Sequence, residues 1–469
     1  MPISPAALLP EVIGLAREAG TVIAAEFSRP QGPRLIDHVT APVDREVELS
    51  LRAQLTALLE ARFVGEEAGV LEAGSNGYCW VVDPHDGTRA FLEGRRGSAV
   101  SIALLRGGEP VLGVVYAPSS PDRGPDMIAW AEGAGLTRNG QPVEIDLRRR
   151  GLAPDDVVFL NHGAWQRPIW HGTACAPARF TPLPSIAYRL ARVAVGDGIA
   201  TLTLRPVAAV DIVAGHALLT AAGGVLMAED GTPVTYTEQG DSRPSACFGG
   251  APAAVATLRA RTWRGSTEPR REPRVRLDWP RPAEAAALDR AVGAMLGLLI
   301  GDSADAVAEG RIAGQPGPAG EAALAFAREL VADDPPHRSA GGLLSMVPLA
   351  LAAADPRAAA VADAARTGAD PTTHAAVATA VAAGIGGADE AAVRRLVGHA
   401  GVQPALAGAL RGASLGRRAF SAREALAVVS CRPDQRLGAA RSRPDAQWAD
   451  DLTDLAEALL LRRTLKGMA

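Results

Sequence analysis

Cysteine is scarce in this chain. Its 469 residues hold four, Cys79, Cys175, Cys247 and Cys431, spread widely and with no CxxC pair. That usage excludes a disulfide scaffold and a cysteine zinc framework, and predicts reduced thiols in a cytoplasmic protein. No apolar run reaches the roughly 18 residues that a membrane span requires, so no membrane partner is expected. The N-terminus lacks a basic segment followed by an apolar core and a cleavage site, so no leader peptide is expected. The formal net charge is -4. No global basic field is present to attract a nucleic acid polymer.

What is present points to folded, ordered chain. The hydrophobic fraction is 48%, enough for sizeable cores, and the length predicts two or three domains. The informative stretch is Trp80-Val-Val-Asp-Pro-His-Asp-Gly-Thr88. Trp80, Val81 and Val82 read as the end of a buried strand. Asp83 and Asp86 then bracket Pro84 and His85, and Gly87-Thr88 opens a helix. Taken alone, Asp-Pro and Asp-Gly are ordinary turn formers. Two further acidic pieces favour a site. Phe63-Val-Gly-Glu-Glu67 is a second apolar run ending in acids, and Ala209-Val-Asp-Ile-Val-Ala-Gly-His216 carries a third. Hard cations take carboxylate oxygens, and a phosphate takes free backbone N–H groups at a helix start.

The order Gly-Glu-Glu, Asp-Pro-x-Asp-Gly-Thr, Val-Ser-Ile-Ala-Leu, Gly-Val-Val-Tyr-Ala-Pro, Asn-Gly-x-Pro and Asp-x-x-Ala-Gly…Ala-Gly-Gly resembles the inositol monophosphatase superfamily over about residues 5 to 255. Val100-Ser-Ile-Ala-Leu104 and Pro184-Ser-Ile-Ala187 tilt the resemblance toward its bisphosphate nucleotidase branch. The resemblance implies an α/β fold, a layered αβαβα phosphatase sandwich. It implies a magnesium-dependent phosphomonoester hydrolase with two Mg2+ ions, a third being left open. It places Glu66, Asp83 and the His85 carbonyl on one ion, and Asp83, Asp86 and Asp211 on the other. Glu66 and Thr88 would orient the attacking water, with Asp86 also in the catalytic set. Gly87 and Thr88 N–H groups would hold the phosphate, and Asp211 would touch the substrate. The implied partner is a small-molecule phosphate. A 3'(2'),5'-bisphosphate nucleotide leads, with inositol, histidinol or sugar phosphate as alternatives. A homodimer is left open.

Two positions depart from the family pattern. One residue is inserted before Asp44, which puts its part in a third metal position in question; a solvated helix-start acid is the plain alternative. His85 stands where an aliphatic residue is usual, and its imidazole is not expected to ligate. Elsewhere, apolar spacing predicts a helix over residues 5 to 28 and another over 185 to 195. Residues 98 to 118 predict a β-hairpin, and 200 to 204 a strand leading to Asp211 near a helix start.

The expected domains are 1-258, the phosphatase; 259-284, a solvated Arg/Pro-rich linker; and 285-469, all-α. The last opens with Ala291-Val-Gly-Ala-Met-Leu-Gly-Leu-Leu-Ile-Gly-Asp302, whose glycines permit close helix packing. With Gly314-Gln315, Gly341-Gly342, Thr373-His374 and Pro444-x-x-x-Trp448, it resembles an ADP-ribosylglycohydrolase. That family's Asp pairs are missing. Pro318-Ala319 stand in place of one pair, Asp302 is the one recognisable acid, and Asp305 could add a second. Asp450, Asp451 and Asp454 read as solvent-facing. The expectation is a catalytically silent domain; a bifunctional enzyme and a non-catalytic regulatory protein are the alternatives.

Overall fold

The structure is a computed structural model. It describes residues 4–37, 39–72, 77–275, 277, 285–304, 306, 309, 311, 313–332, 343–367, 369–397, 403–437, 439 and 441–467. Asp305, Gly341 and Gly342 lie outside the described residues, as do Arg276 and Arg281 of the Arg/Pro-rich stretch. The chain divides into two compact units, one of residues 1–121 and 125–271, the other of 122–124 and 272–469.

The first unit runs α1 (Pro5–Phe27), α2 (Pro42–Leu58), β1 (Arg62–Gly65), β2 (Val70–Leu71), β3 (Tyr78–Asp86), α3 (Thr88–Leu92), β4 (Ala99–Arg106), β5 (Glu109–Ala117), β6 (Asp126–Ala131), β7 (Thr137–Arg138) and β8 (Gln141–Pro142). It continues with β9 (Val157–Leu160), α4 (Pro168–Cys175), β10 (Arg179–Pro182), α5 (Ile186–Ala194), β11 (Ala200–Thr203), α6 (Ala209–Ala221), β12 (Val225–Ala228), β13 (Cys247–Gly250) and α7 (Pro252–Arg259). One sheet has the order β2-β1-β3-β4-β5-β6-β7-β8, and the other β10-β9-β11-β13-β12. Helices α1 and α2 pack on the larger sheet, α5 and α6 lie between the sheets, and α4 and α7 flank the smaller one. The layering is therefore αβαβα, as the resemblance implied.

Sequence pattern explains these elements. Helix α1 starts with Pro5 at its first position, where the missing N–H costs nothing. It buries Leu8, Val12, Ala16, Ala19, Ile23 and Phe27 along one stripe. Strand β3 has both edges paired, with β1 and β4, and its faces are covered by helices α2 and α6. Helix α6 comes so close to β5 that a Cβ at Gly113 would sit 2.6 Å from the Ala214 carbonyl.

A buried ionic network ties β6, β7 and α5 together. Arg138 donates to Asp126 Oδ1 at 2.8 Å and to Asp197 Oδ1 at 2.8 Å. Arg192, fully buried, donates to Asp197 Oδ2 at 2.7 Å and lies over the Phe159 ring. Tyr188 donates to Asp126 Oδ2 at 2.7 Å. Asp197 thus serves two guanidinium groups. Asp197→Ala is expected to destabilise the first unit by about 3–5 kcal/mol, because it leaves buried charge uncompensated. Chemical denaturation read by intrinsic fluorescence checks this; a loss below about 1 kcal/mol would show the network to be dispensable.

The second unit is helical in its described residues: α8 (Ala285–Asp302), α9 (Pro318–Val331), α10 (Met346–Ala352), α11 (Pro356–Thr367), α12 (Pro371–Ile385), α13 (Glu390–Val397), α14 (Pro404–Leu415), α15 (Ala422–Val429) and α16 (Leu452–Gly467). The glycines of α8 do permit close packing. Gly293, Gly297 and Gly301 face Gly412, Gly408 and Pro404 of α14 backbone to backbone.

Two sequence expectations are corrected in this region. Asp450 and Asp451 do not face solvent. Arg274 pairs with both, Arg328 donates to Asp451 at 2.6 and 2.8 Å, and Arg432 lies 3.4 Å from Asp450. The stretch after residue 259 is not simply solvated either. Arg259 donates to the carbonyls of Ala228 and Glu229, Arg261 to that of Ala174, and Arg264 pairs with Glu229. Guanidinium groups carry several donors each and satisfy loop carbonyls and acids that composition alone leaves unassigned.

Candidate active site

The geometry begins with an irregularity in β3. Asp83 pairs with Ser101 and Asp86 with Ala99, with a register shift between them. Two residues on β3 therefore oppose one on β4, a β-bulge. In a regular strand, residues three apart point to opposite faces. The extra residue puts Asp83 and Asp86 on the same one. Their partners Ser101 and Ala99, two apart, share a face of β4 as well.

Each acid is then fixed by a different element. Asp83 is buried and accepts the His85 N–H at 2.8 Å. Asp86 accepts the Ser185 hydroxyl at 2.6 Å and the Ala187 N–H at 2.7 Å, both from the start of α5. Ser185 also caps that helix by accepting the Tyr188 N–H at 2.9 Å. Asp211 sits in the first turn of α6 and accepts the Ala208 N–H at 2.7 Å. Glu66 follows β1, which runs parallel to β3 with Gly65 opposite Val82. Glu66 is solvent-exposed as a residue, yet protein surrounds its carboxyl on most sides, as expected of a group lining a cleft.

Electrostatics shows that the four acids lie near one another. Burial pushes the Glu66 carboxyl up to about 7, and the charges of Asp211, Asp86 and Glu67 add to this, while a hydrogen bond with Asp83 opposes it. Burial likewise raises Asp86 to about 7, with Asp211 adding and the Ser185 and Ala187 hydrogen bonds opposing. Asp83 is held well above the carboxylate range by burial, then by Glu66, Asp86 and Asp211. Asp211 is raised by burial. A cation stands behind the acids: buried Arg189 donates to the Leu202 carbonyl and to Thr201, and its charge acts on Asp86.

Among the described residues, no three His, Cys, Asp or Glu side chains are drawn into a ready metal-holding group. Glu66 turns to Asp83, and Asp86 to the start of α5. The donor set nevertheless fits hard cations. Clustered carboxylate oxygens with so little opposing charge are the ligands that divalent ions of this class take, and a cation among them would offset the burial cost of their charges and the repulsion that adds to it at Glu66, Asp83 and Asp86.

Asp44, left open by the sequence, is not a solvated helix-start acid. It lies in the first turn of α2, is 1% exposed, and joins the site. Its Oδ1 is 2.7 Å from His85 Nδ1, and its Oδ2 accepts the Thr88 hydroxyl at 3.0 Å. The same hydroxyl lies 2.9 Å from the His85 carbonyl. The His85 imidazole is thus engaged by protein atoms on both nitrogens, with Ser98 Oγ 2.9 Å from Nε2. Gly87 has φ 102° and precedes α3, which is a single turn. A left-handed residue here favours glycine. His216 bonds Tyr236 rather than any acid of the site.

One functional residue escaped sequence reasoning. Glu48 is fully buried and accepts the N–H groups of Glu67 at 2.7 Å and Ala68 at 2.6 Å. It clamps the loop that carries Glu66, and a Cβ at Gly65 would overlap its carboxylate. The available signal was Asp44 and Glu48, four apart, beside the apolar Val43, Val47, Leu51 stripe of α2.

With the geometry in place, comparison with known proteins is informative. The inositol monophosphatase family profile matches residues 6–246. Inositol-1-monophosphatase of Rhizobium meliloti is 31% identical over 236 residues, which is 46% of this chain and 84% of that relative. The 3'(2'),5'-bisphosphate nucleotidase CysQ of Escherichia coli is 29% identical over 249 residues, 49% of this chain and 94% of that relative. The solved inositol monophosphatase from Anabaena superimposes with a TM-score of 0.43 at 23% identity, covering 54% of this chain and 94% of that one. The profile spans more than half of the 469 residues, and the aspartates of the bulged strand fall inside it, so this chain belongs to the inositol monophosphatase family.

Proposed function

We propose that this chain is a magnesium-dependent phosphomonoester hydrolase acting on a 3'(2'),5'-bisphosphate nucleotide. The observation that carries the reading is the bulge that sets Asp83 and Asp86 on one face of β3, with Glu66 and Asp211 near enough for their charges to act there. Glu66, Asp83 and the His85 carbonyl would hold one ion, and Asp83, Asp86 and Asp211 the other. Bound magnesium supplies Lewis-acid charge and lowers the pKa of water. The chain's own groups do the rest. The Thr88 hydroxyl directs its proton toward Asp44 or the His85 carbonyl, which leaves its oxygen lone pairs for a water. Glu66 takes the other side of that water. Gly87 and Thr88 N–H groups receive the phosphate, and Asp211 contacts the substrate body. The fully buried Ser185 and Glu48 keep Asp86 and Glu66 in place.

The substrate class draws support from two quarters. The Ser101-Ile-Ala-Leu and Pro184-Ser185 motifs tilt toward the nucleotidases, and the Escherichia coli relative is covered over 94% of its length. An inositol phosphate is the second reading, favoured by the Rhizobium relative. A phosphate-release panel decides between them: 3'-phosphoadenosine 5'-phosphate, inositol 1-phosphate, histidinol phosphate and fructose 1,6-bisphosphate, each with and without Mg2+. The nucleotide is expected to give the highest kcat/KM. A preference for inositol phosphate would replace the substrate, and no magnesium-dependent release would reject the activity.

For residues 285–469 we propose a silent relative of the ADP-ribosylglycohydrolases. Pro318 and Ala319 open α9 without a side-chain oxygen, and Asp302 is turned to the Gly320 N–H at 2.9 Å. Asp450 and Asp451 are neutralised by arginines. The four cysteines are buried and none is in a disulfide, which supports a reducing, cytoplasmic setting.

A further inference from the structure

We propose that His85 is a positioning residue: its imidazole holds the Asp44 carboxylate in the orientation that receives the Thr88 hydroxyl. The inference rests on the phosphatase reading for the role of Thr88, while the contacts themselves stand on geometry.

His85 lies in the bulged end of β3 and is 1% exposed. Both ring nitrogens are engaged, Nδ1 with Asp44 Oδ1 at 2.7 Å and Nε2 with Ser98 Oγ at 2.9 Å. The ring stands edge-on to Phe91 at 4.4 Å between centroids, so packing fixes its plane. Asp44 divides its two oxygens, Oδ1 to the imidazole and Oδ2 to the Thr88 hydroxyl at 3.0 Å. A carboxylate has no proton to give, so the hydrogen on the first contact belongs to Nδ1. The Ser98 hydroxyl then donates to Nε2 when the ring is neutral. Two directions follow, Ser98 to His85 and His85 to Asp44; the Thr88 hydroxyl is shared between Asp44 Oδ2 and the His85 carbonyl at 2.9 Å.

Without the imidazole, Asp44 Oδ1 would be a buried acceptor that has lost its donor, a costly state. The carboxylate would rotate to recover one, and Thr88 would lose the side-chain acceptor that, together with the His85 carbonyl, aims its oxygen. A misplacement of about 1 Å in a group that positions the reacting water can cost on the order of 10²-fold in rate.

The test uses the full chain and three variants. His85→Leu removes both bonds and keeps an apolar body. His85→Asn keeps a donor at the place of Nδ1. Asp44→Asn alters the acceptor. For phosphate release at saturating Mg2+, His85→Leu is expected to lower kcat about 10–100-fold with KM within about twofold, and His85→Asn to recover at least about a tenth of the wild-type kcat. A merely structural histidine would shift thermal stability and leave kcat alone. Imidazole 1H–15N NMR gives a readout independent of turnover. An exchange-protected Nδ1–H signal is expected in the wild type, absent in His85→Leu and displaced in Asp44→Asn. The inference is overturned if His85→Leu keeps its kcat, if His85→Asn is as impaired as His85→Leu while folded, or if Nδ1 carries no proton. Should the wild type release no phosphate from any substrate, the phosphatase reading fails, and the NMR signal still decides the His85–Asp44 contact.

Discussion

Asp83→Asn is expected to abolish magnesium-dependent phosphate release while leaving the protein folded. Asp83 is the one acid assigned to both ions, and the bulge sets it on the same face as Asp86. An amide of the same shape can still accept the His85 N–H, so the backbone of the bulge loses nothing. What disappears is a full negative charge at the place where cations must offset phosphate charge. Such charge stabilisation is worth several kcal/mol in the transition state, and the expected loss in kcat is on the order of 10³-fold or more. The stability effect should run the other way. Asp83 is surrounded by Glu66, Asp86 and Asp211, all repelling its charge. The neutral variant should melt no lower than the wild type when both are metal-free. Added Mg2+ should raise the melting temperature of the wild type, because a ligand bound only by the native state stabilises it, and should do little for the variant. Turnover near the wild-type value would show that Asp83 is not a ligand.

Gly408→Val is expected to unfold the second unit. The Gly408 backbone lies directly on Gly297 of α8, and a Cβ there overlaps the Gly297 carbonyl. Gly293 against Gly412 and Gly301 against Pro404 repeat the contact along the same pair of helices. Neither helix can retreat, since α8 buries Val292, Met295, Leu296 and Leu299 in the core of the unit. A branched side chain must therefore separate the backbones and open the core, at a cost above about 4 kcal/mol. Circular dichroism should show loss of helix, with a separate low-temperature transition where the wild type has none. A variant with wild-type melting would show that α8 and α14 do not pack as described.

The contrast between legible and illegible features has a physical cause. Strand β3, helix α5 and the placement of Asp211 in the first turn of α6 follow from local pattern: short β-branched runs, a Pro-Ser cap, an acid after a strand. The glycines of α8 announced their close packing in the same local way. The bulge did not. It depends on how β4 registers against β3, and a register is a property of two segments. Asp44 was legible only in part, because an acid in the first turn of a helix is more often solvated than buried, and Glu48, further along the same helix, was not read into the site at all; their partners, His85, Thr88 and the Glu67–Ala68 N–H groups, come from elsewhere in the chain. Asp450 and Asp451 were misread for the same reason. Their arginines, Arg274 and Arg328, are more than a hundred residues away in sequence.

The central claim is that Glu66, Asp83, Asp86 and Asp211 are the ligands of catalytic divalent ions, and crystals of the full chain soaked in Mn2+ and measured at the manganese absorption edge test it most directly. The account predicts two anomalous peaks within about 4 Å of each other, with Asp83 contacting both, Glu66 on one and Asp86 with Asp211 on the other. Peaks that avoid Asp83, or a pair of ions beside Asp302 instead, would contradict it.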